Sequence, residues 1–234
     1  MEDQQELILG IEAAGSAVSV ALAEAGRGLG VVWLDSGKPS GEILLQWIER
    51  LLVSCQRSRE QLTGLALCLG PGSFTSMRIS LATVQALGFA LNLPIYTADR
   101  LRLTATAMVH QPEAVKVIQN AYKGELYQGV FDCRGNLPEP LEPLRLIRPE
   151  QFLAGLKPGQ WVLGDGLKVL EGMDWKPEER GVLLEPAGMH RPDAMALIHL
   201  VRALGLRPAA GDIEPIYLRA SEAEVAYVAR FGNL

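Results

Sequence analysis

Cysteine is scarce: Cys55, Cys68 and Cys133 are the only three in 234 residues. An odd, widely spaced set with no CxxC pair excludes a disulfide framework and a thiolate zinc site. It reads as buried, reduced thiols in a cytoplasmic protein. Histidine is as scarce. His110, His190 and His199 share neither a helical face nor a metal-ligand spacing, so neither a histidine metal site nor a Ser-His-Asp or Cys-His set can be assembled from them. No run of Lys or Arg occurs, and the net charge of −5 with a pI of 5.3 argues against the chain holding RNA or DNA by itself. The start, MEDQQELILGI, is acidic and lacks the basic segment of a secretory signal. The longest uncharged run, residues 79–98, is interrupted by Ser80, Thr83, Gln85, Asn92 and Pro94, so no membrane span is expected from it.

What remains is an ordinary globular composition, 48% hydrophobic and 21% charged, long enough for a sizeable core. The first hundred residues alternate short apolar runs with turns. Strands are expected at residues 7–11, from Val18, and at 31–34 after a turn at 26–30, forming an antiparallel meander. Residues 40–55 follow as a helix capped by Ser40. A strand at 65–69, a helix at 74–91, a brief strand at Ile95 and Tyr96 and a helix from Asp99 complete a β-β-β-α-β-α-β-α order. Proline then becomes denser. Strands are expected at 115–119, 126–132 and 161–163, with a helix at 193–204. The composition shift divides the chain into lobes 1–110 and 111–234, with helix 193–204 packing back on the first.

Two of these helices carry more apolar surface than one contact needs. On the first, Ile43, Leu44, Leu45, Trp47, Ile48, Leu51, Leu52 and Cys55 spread over an arc of roughly 200°. On the second, Met77, Leu81, Val84 and Leu87 belong to a set that leaves almost no polar face, and such a helix must be covered all round. Arg78 stands at its start as a polar contact on the rim. These residues define a candidate partner interface, and Leu51→Asp is expected to abolish pairing without unfolding the chain.

A second candidate is the turn Gly70-Pro71-Gly72-Ser73 leading into that helix, with Thr75 in its first turn. A glycine turn at a helix N-terminus attracts anions. Phe74 and Thr75 stand where a Walker loop needs Lys and Ser/Thr, and the spacing is not that of a dinucleotide fingerprint. Glu12 ends the first strand, where a lone acid reads as a solvated strand end rather than as part of a metal site. Tyr122, Lys123, Glu125 and Tyr127 read as the polar tip of a hairpin, and Asp165 as a turn residue between glycines.

The segments "ILGIEAAGSAVSVAL", "GPGSFTSMRISLATVQALGFALNLPIYTADRL", "NAYKGELYQGVFD" and "EPIYLR" together resemble the TsaB (YeaZ) family. Its members are dimerisation subunits of the bacterial tRNA threonylcarbamoyladenosine machinery. The resemblance spans nearly the whole chain and is densest at residues 70–94. It implies an α/β, actin-like ATPase fold of two ribonuclease H-like lobes, the second degenerate. It implies a subunit that is not itself an enzyme. The partner is a TsaD-like catalytic paralogue, which carries the metal, and a TsaE-like small ATPase joins the pair. The two helices would pack against the equivalent pair of the partner, or of a second copy when the chain is alone. No cofactor is implied beyond ATP or ADP at a shared interface, and tRNA is reached only through the complex. Glu12 stands where the family has Asp, Ser76 and Ser80 where it has Gly, and Asn120 and Tyr122 where it has Asp and Arg. Residues 39–42, Pro-Ser-Gly-Glu, stand where His-Ser-Glu is common. These departures weaken intrinsic ATP binding at Glu12, Gly70, Gly72, Ser73 and Thr75 and leave pairing untouched. The rival expectation is a kinase-like or peptidase-like enzyme of the same fold, using those residues around Mg-ATP.

Overall fold

Alternation in three neighbouring strands sets the first layer. In the computed structural model, which describes residues 6–15, 17–34, 44–111, 114–185, 192–219, 230 and 232, β1 (Leu7–Glu12) pairs antiparallel with β2 (Val18–Glu24), and β2 pairs antiparallel with β3 (Arg27–Leu34). Strand β1 also pairs in parallel with β4 (Gly64–Cys68), and β4 with β5 (Ile95–Ala98), giving the order β3-β2-β1-β4-β5. One face carries Leu7, Leu9, Ile11, Val20, Leu22, Leu65 and Leu67, and helices α1 (Leu44–Ser54) and α2 (Phe74–Leu91) pack on it. The other face carries small residues, Ala21, Ala23, Ala66 and Cys68, with Ile8. Helix α6 (Ala194–Ala203) lies close against it, so close that a Cβ on Gly10 would sit 2.6 Å from the Ala194 carbonyl. The N-cap of α6 is Asp193, which accepts from the Ala196 N–H at 2.7 Å.

The third strand begins earlier than its glycines suggest. Ala25 and Gly26 both have positive φ and make the hairpin turn themselves, so Arg27, Gly28 and Gly30 lie inside β3. A bulge beside Leu29 turns the two glycines to opposite faces. A Cβ on Gly28 would meet Met195 of α6 at 2.9 Å, and one on Gly30 would meet Leu51 of α1 at 3.0 Å. These glycines admit helices rather than bend the chain. The proposed cap Ser40 lies outside the described residues.

Helix α2 ends at Asn92, which adopts the left-handed conformation with φ 51°, and the Leu93 N–H returns to the Gly88 carbonyl at 2.9 Å. Asp99 then caps α3 (Arg100–Ala105) by accepting from the Arg102 N–H at 2.7 Å. Leu101 and Ala105 of α3, with Met108, pack with Val115, Val117 and Phe131 of the second lobe. Leu103 of the same helix packs instead with the small-residue side of the first sheet, so α3 lies between the two sheets.

The second sheet has the order β11-β10-β6-β7-β8. Strands β6 (Ala114–Asn120) and β7 (Leu126–Asp132) form its antiparallel centre, and β10 (Trp161–Leu163) runs parallel to β6. Short strands β8 (Glu139–Pro140), β9 (Arg145–Ile147) and β11 (Leu183–Leu184) edge it, with helices α4 (Pro149–Ala154) and α5 (Leu167–Leu170). After α6 the chain returns across both lobes. The Ala209 N–H bonds the Ile95 carbonyl and the Ile216 N–H the Leu69 carbonyl, both at 2.8 Å. Arg219 then reaches the second lobe, bonding the Ala121 carbonyl at 2.8 Å and the Glu125 carboxylate.

Candidate functional site

Between the lobes, an ion-pair network closes the floor of a cleft. Glu12 is 2% exposed, not solvated as its place at a strand end suggests. Its Oε1 accepts from the Ala14 N–H at 2.9 Å and from Arg100 Nε at 3.2 Å. Arg100 Nη1 reaches Asp165 Oδ2 at 3.3 Å, and Asp165 Oδ1 accepts from the Asn120 N–H at 2.9 Å. One guanidinium thus joins an acid of the first lobe to an acid of the second. Burial pushes the Glu12 carboxyl above its ordinary range, against the pull of Arg100 and the Ala14 N–H. Burial works against the Arg100 charge too, but the Glu12 and Asp165 carboxylates outweigh it and raise its pKa. Glycine permits the approach. Gly164 has φ +110°, and a Cβ there would sit 2.1 Å from the Ile118 carbonyl, while one on Gly15 would sit 2.5 Å from Arg100 Nη2.

The glycine turn forms the opposite wall. A Cβ on Gly72 would lie 1.9 Å from the Ala14 carbonyl and one on Gly70 2.1 Å from Met77 Sδ. The Ser73 N–H is spent on the Ala14 carbonyl at 2.9 Å, and the Gly70 carbonyl accepts from the Arg100 N–H at 2.6 Å. Gly70, Gly72 and Ser73 are brought beside Glu12, with the Ser73 N–H and the Gly70 carbonyl committed to neighbouring backbone. Thr75 is exposed in the first turn of α2. Among the described residues no group of three His, Cys, Asp or Glu side chains lies together as metal ligands. The cleft encloses about 230 Å³ and is lined from the second lobe by Gln119, Asn120, Tyr122, Asp165 and Lys168.

The second feature is the outer surface of α1 and α2. Here the structure corrects part of the expected interface. Leu44, Ile48, Leu51, Leu52 and Val84 are buried in the first lobe's own core, and Met77 on the small-residue side. They face the sheet because their helical spacing places them on the inward stripe. Leu51 is 4% exposed, so Leu51→Asp would break the fold before it tested any partner. Leu81 and Leu87 are half-buried against the same core; Trp47 is half-buried and carries Arg50 over its ring at 5.1 Å. The outward residues are Leu45 and Val53 on α1, and Phe74, Arg78, Ala82, Ala86 and Phe89 on α2. Arg78 lies 4.0 Å over the Phe74 ring, and its Nε donates to the Tyr217 hydroxyl at 3.0 Å. The rim it forms is tied to the returning chain.

Sequence reasoning missed Arg100, Asp165, Gln119 and Tyr217 as organising residues. Arg100 and Asp165 are 65 residues apart, so no local spacing joins them. The flanking glycines of Asp165 were the one available signal.

Five strands in the order β3-β2-β1-β4-β5, antiparallel then parallel, with helices on both faces and a reduced second copy of the plan, define the class: an actin-like ATPase fold built from ribonuclease H-like lobes. A family model described as TsaD, tRNA N6-adenosine threonylcarbamoyltransferase, matches residues 18–162. The chain belongs to this family, on its TsaB/YeaZ branch. A Bacillus subtilis (strain 168) protein named tRNA threonylcarbamoyladenosine biosynthesis protein TsaB is 25% identical over 187 residues, covering 77% of this chain and 80% of the relative. The Escherichia coli (strain K12) protein of the same name is 26% identical over 221 residues, 91% of this chain and 94% of the relative. A solved structure from Pseudomonas aeruginosa, described as an uncharacterized protein with similarity to peptidase YEAZ, superposes with a TM-score of 0.76 at 25% identity, covering 92% of this chain and all of that one.

Proposed function

We propose that the chain is a non-catalytic subunit of the assembly that makes threonylcarbamoyladenosine in tRNA, and that it docks a TsaD-type catalytic partner through the outward faces of α1 and α2. The observation that carries this reading is Phe89, 91% exposed on a helix long and apolar enough to cross a membrane, of which only 22% is buried in the fold. Ala86 and Ala82 lie one and two turns before it on the same outward stripe. Small side chains there let a partner helix approach closely, and Phe89 would be its anchor. Covering that ring is worth about 1.5–3 kcal/mol. The α1 surface extends the patch with Leu45 and Val53, 58% and 70% exposed.

The cleft supports the non-catalytic half of the reading. Its strand-end acid, Glu12, is held by Arg100 and the Ala14 N–H rather than left open toward a ligand. The relatives' names place them in tRNA threonylcarbamoyladenosine biosynthesis, and the same pathway is proposed here. A TsaE-type ATPase would be the third component, with ATP or ADP held between subunits. The net charge of −5 leaves tRNA contact to the partner.

Co-expression with a TsaD-type partner, followed by size-exclusion chromatography, tests the docking reading. The wild-type pair co-elutes. Phe89→Asp and Ala86→Glu each abolish co-elution while the isolated variants melt within a few degrees of wild type. Undiminished co-elution of both variants would overturn the proposed face.

A further inference from the structure

Helix α2 carries a single charged residue among its eighteen, Arg78, and aromatic rings hold that charge in place. Its guanidinium carbon lies 4.0 Å over the Phe74 ring and 5.9 Å from the Tyr217 ring, and the two rings stand 5.2 Å apart. Arg78 Nε donates to the Tyr217 hydroxyl at 3.0 Å. Tyr217 is itself anchored on both sides. The Ile216 N–H bonds the Leu69 carbonyl at 2.8 Å, and Arg219 bonds the Ala121 carbonyl and the Glu125 carboxylate. The guanidinium fork is thus oriented before anything meets it, which lowers the entropy cost of a contact there.

What this cluster offers is donors. One guanidinium face is stacked and Nε is spent, while nothing among the described residues accepts from Nη1 or Nη2. The first turn of α2 holds no acid. The Tyr217 oxygen accepts from Nε, so its own proton is left to donate. Because Nε and the hydroxyl are 3.0 Å apart, the free donors of the two residues lie side by side. A group that only accepts, through two oxygens, matches them: a carboxylate.

Position decides whose carboxylate it is. Arg78 stands one turn before Ala82 and two before Ala86, on the outward row of α2. A partner helix that covers those alanines also shuts water away from Arg78. A cation covered without an acceptor is costly, so the covering surface has to bring one. Nucleic-acid phosphates would ask for several cations, whereas this helix supplies one, in a chain of net charge −5.

We infer that Arg78, oriented by Phe74 and Tyr217, is the specificity-determining contact of the docking face and takes an aspartate or glutamate carboxylate of the protein partner. The inference rests on the docking reading proposed above.

Calorimetric titration of the whole chain with a TsaD-type partner, in the absence of nucleic acid, tests it. Arg78→Met weakens binding about tenfold or more, the worth of a hydrogen-bonded charge. Arg78→Lys keeps the charge without the fork and binds nearer to Arg78→Met than to wild type. Tyr217→Phe keeps the ring, loses the hydroxyl and weakens binding several-fold. Among Asp→Asn and Glu→Gln substitutions on the partner, one costs the wild-type chain about tenfold and costs Arg78→Met nothing. All variants of this chain melt within a few degrees of wild type, since Arg78 is exposed. Undiminished affinity in Arg78→Met, full recovery in Arg78→Lys, or no partner acid whose effect depends on Arg78 would each overturn the inference. Phe89→Asp, run alongside, separates it from the docking reading. Where Phe89→Asp abolishes binding and Arg78→Met leaves it undiminished, the docking face stands and the carboxylate contact falls. Where neither substitution weakens binding, the docking face falls and the contact with it.

Discussion

Helices α2 and α6 are both apolar and lie on opposite faces of one sheet, yet they are used differently. Half of α6 is buried: Ala194, Leu197, Ile198, Leu200 and Val201 of ten residues. Helix α2 buries four residues of eighteen, Met77, Ser80, Val84 and Gly88. The sheet explains part of the difference. Its α6 side is paved with alanine and glycine, so the helix sinks in, and the Ala194 N–H donates to Ser19 Oγ at 2.9 Å. Its other side carries leucine and valine, which hold α1 and α2 further out. The lesson is that apolar composition shows that a helix needs cover, while the surface beneath it decides how much cover its own fold provides.

The comparison can be broken most severely from the inside. Leu197→Ala, at a wholly buried position of α6, should cost about 2–5 kcal/mol in urea unfolding. Phe89→Ala on α2 should change stability by less than about 0.5 kcal/mol. A loss at Phe89 as large as that at Leu197 would mean that α2 is covered within the chain.

Next in size is the bond between the lobes. Arg100→Met leaves Glu12 buried without its cation and should cost about 3 kcal/mol. Its pH dependence carries a sign. Burial already raises the Glu12 pKa, and without Arg100 it acts unopposed. A raised carboxyl contributes stability at low pH that is lost as pH rises through the folded-state value. The variant should therefore melt higher at about pH 5 than at about pH 8, and a flat or reversed profile would remove Glu12 as the cause.

Tyr217→Ala sharpens the comparison at the rim of α2. It removes the hydroxyl that accepts from Arg78 and the ring 5.2 Å from Phe74, at a cost of about 1 kcal/mol. Hydrogen exchange should rise in residues 208–219 and leave α6 unchanged.

The smallest effect lies at an exposed pair far from either helix. Arg134 hydrogen-bonds Asp132 and holds its carboxyl down to about 2. A lowered carboxyl contributes above its unfolded value and loses that contribution as pH falls through the folded one. Carbon-detected titration should show Asp132 ionising near 2 in the wild type and returning to the ordinary range in Arg134→Ala.

Much of the fold was readable along the chain. The bounds of α2, β7 and β10 agree with the periodicity and turn residues that suggested them. The third strand was shortened in sequence reading because Gly28 and Gly30 look like a turn, whereas they make room for Met195 and Leu51. The two greasy helices were recognisable, but the arc of α1 did not reveal which leucines face the sheet. Glu12 read as a solvated acid because nothing nearby in sequence pairs with it; its partner is 88 residues away.

What the order of residues settled by itself was local: which segments extend, which coil, where glycine and asparagine permit left-handed turns, and that two helices carry surplus apolar surface. These follow from backbone sterics and periodicity, which act over a few residues. Tertiary structure decided which side of each helix faces out, and that Glu12, Arg100 and Asp165 meet between the lobes. Burial and charge pairing depend on where distant segments come to rest in space.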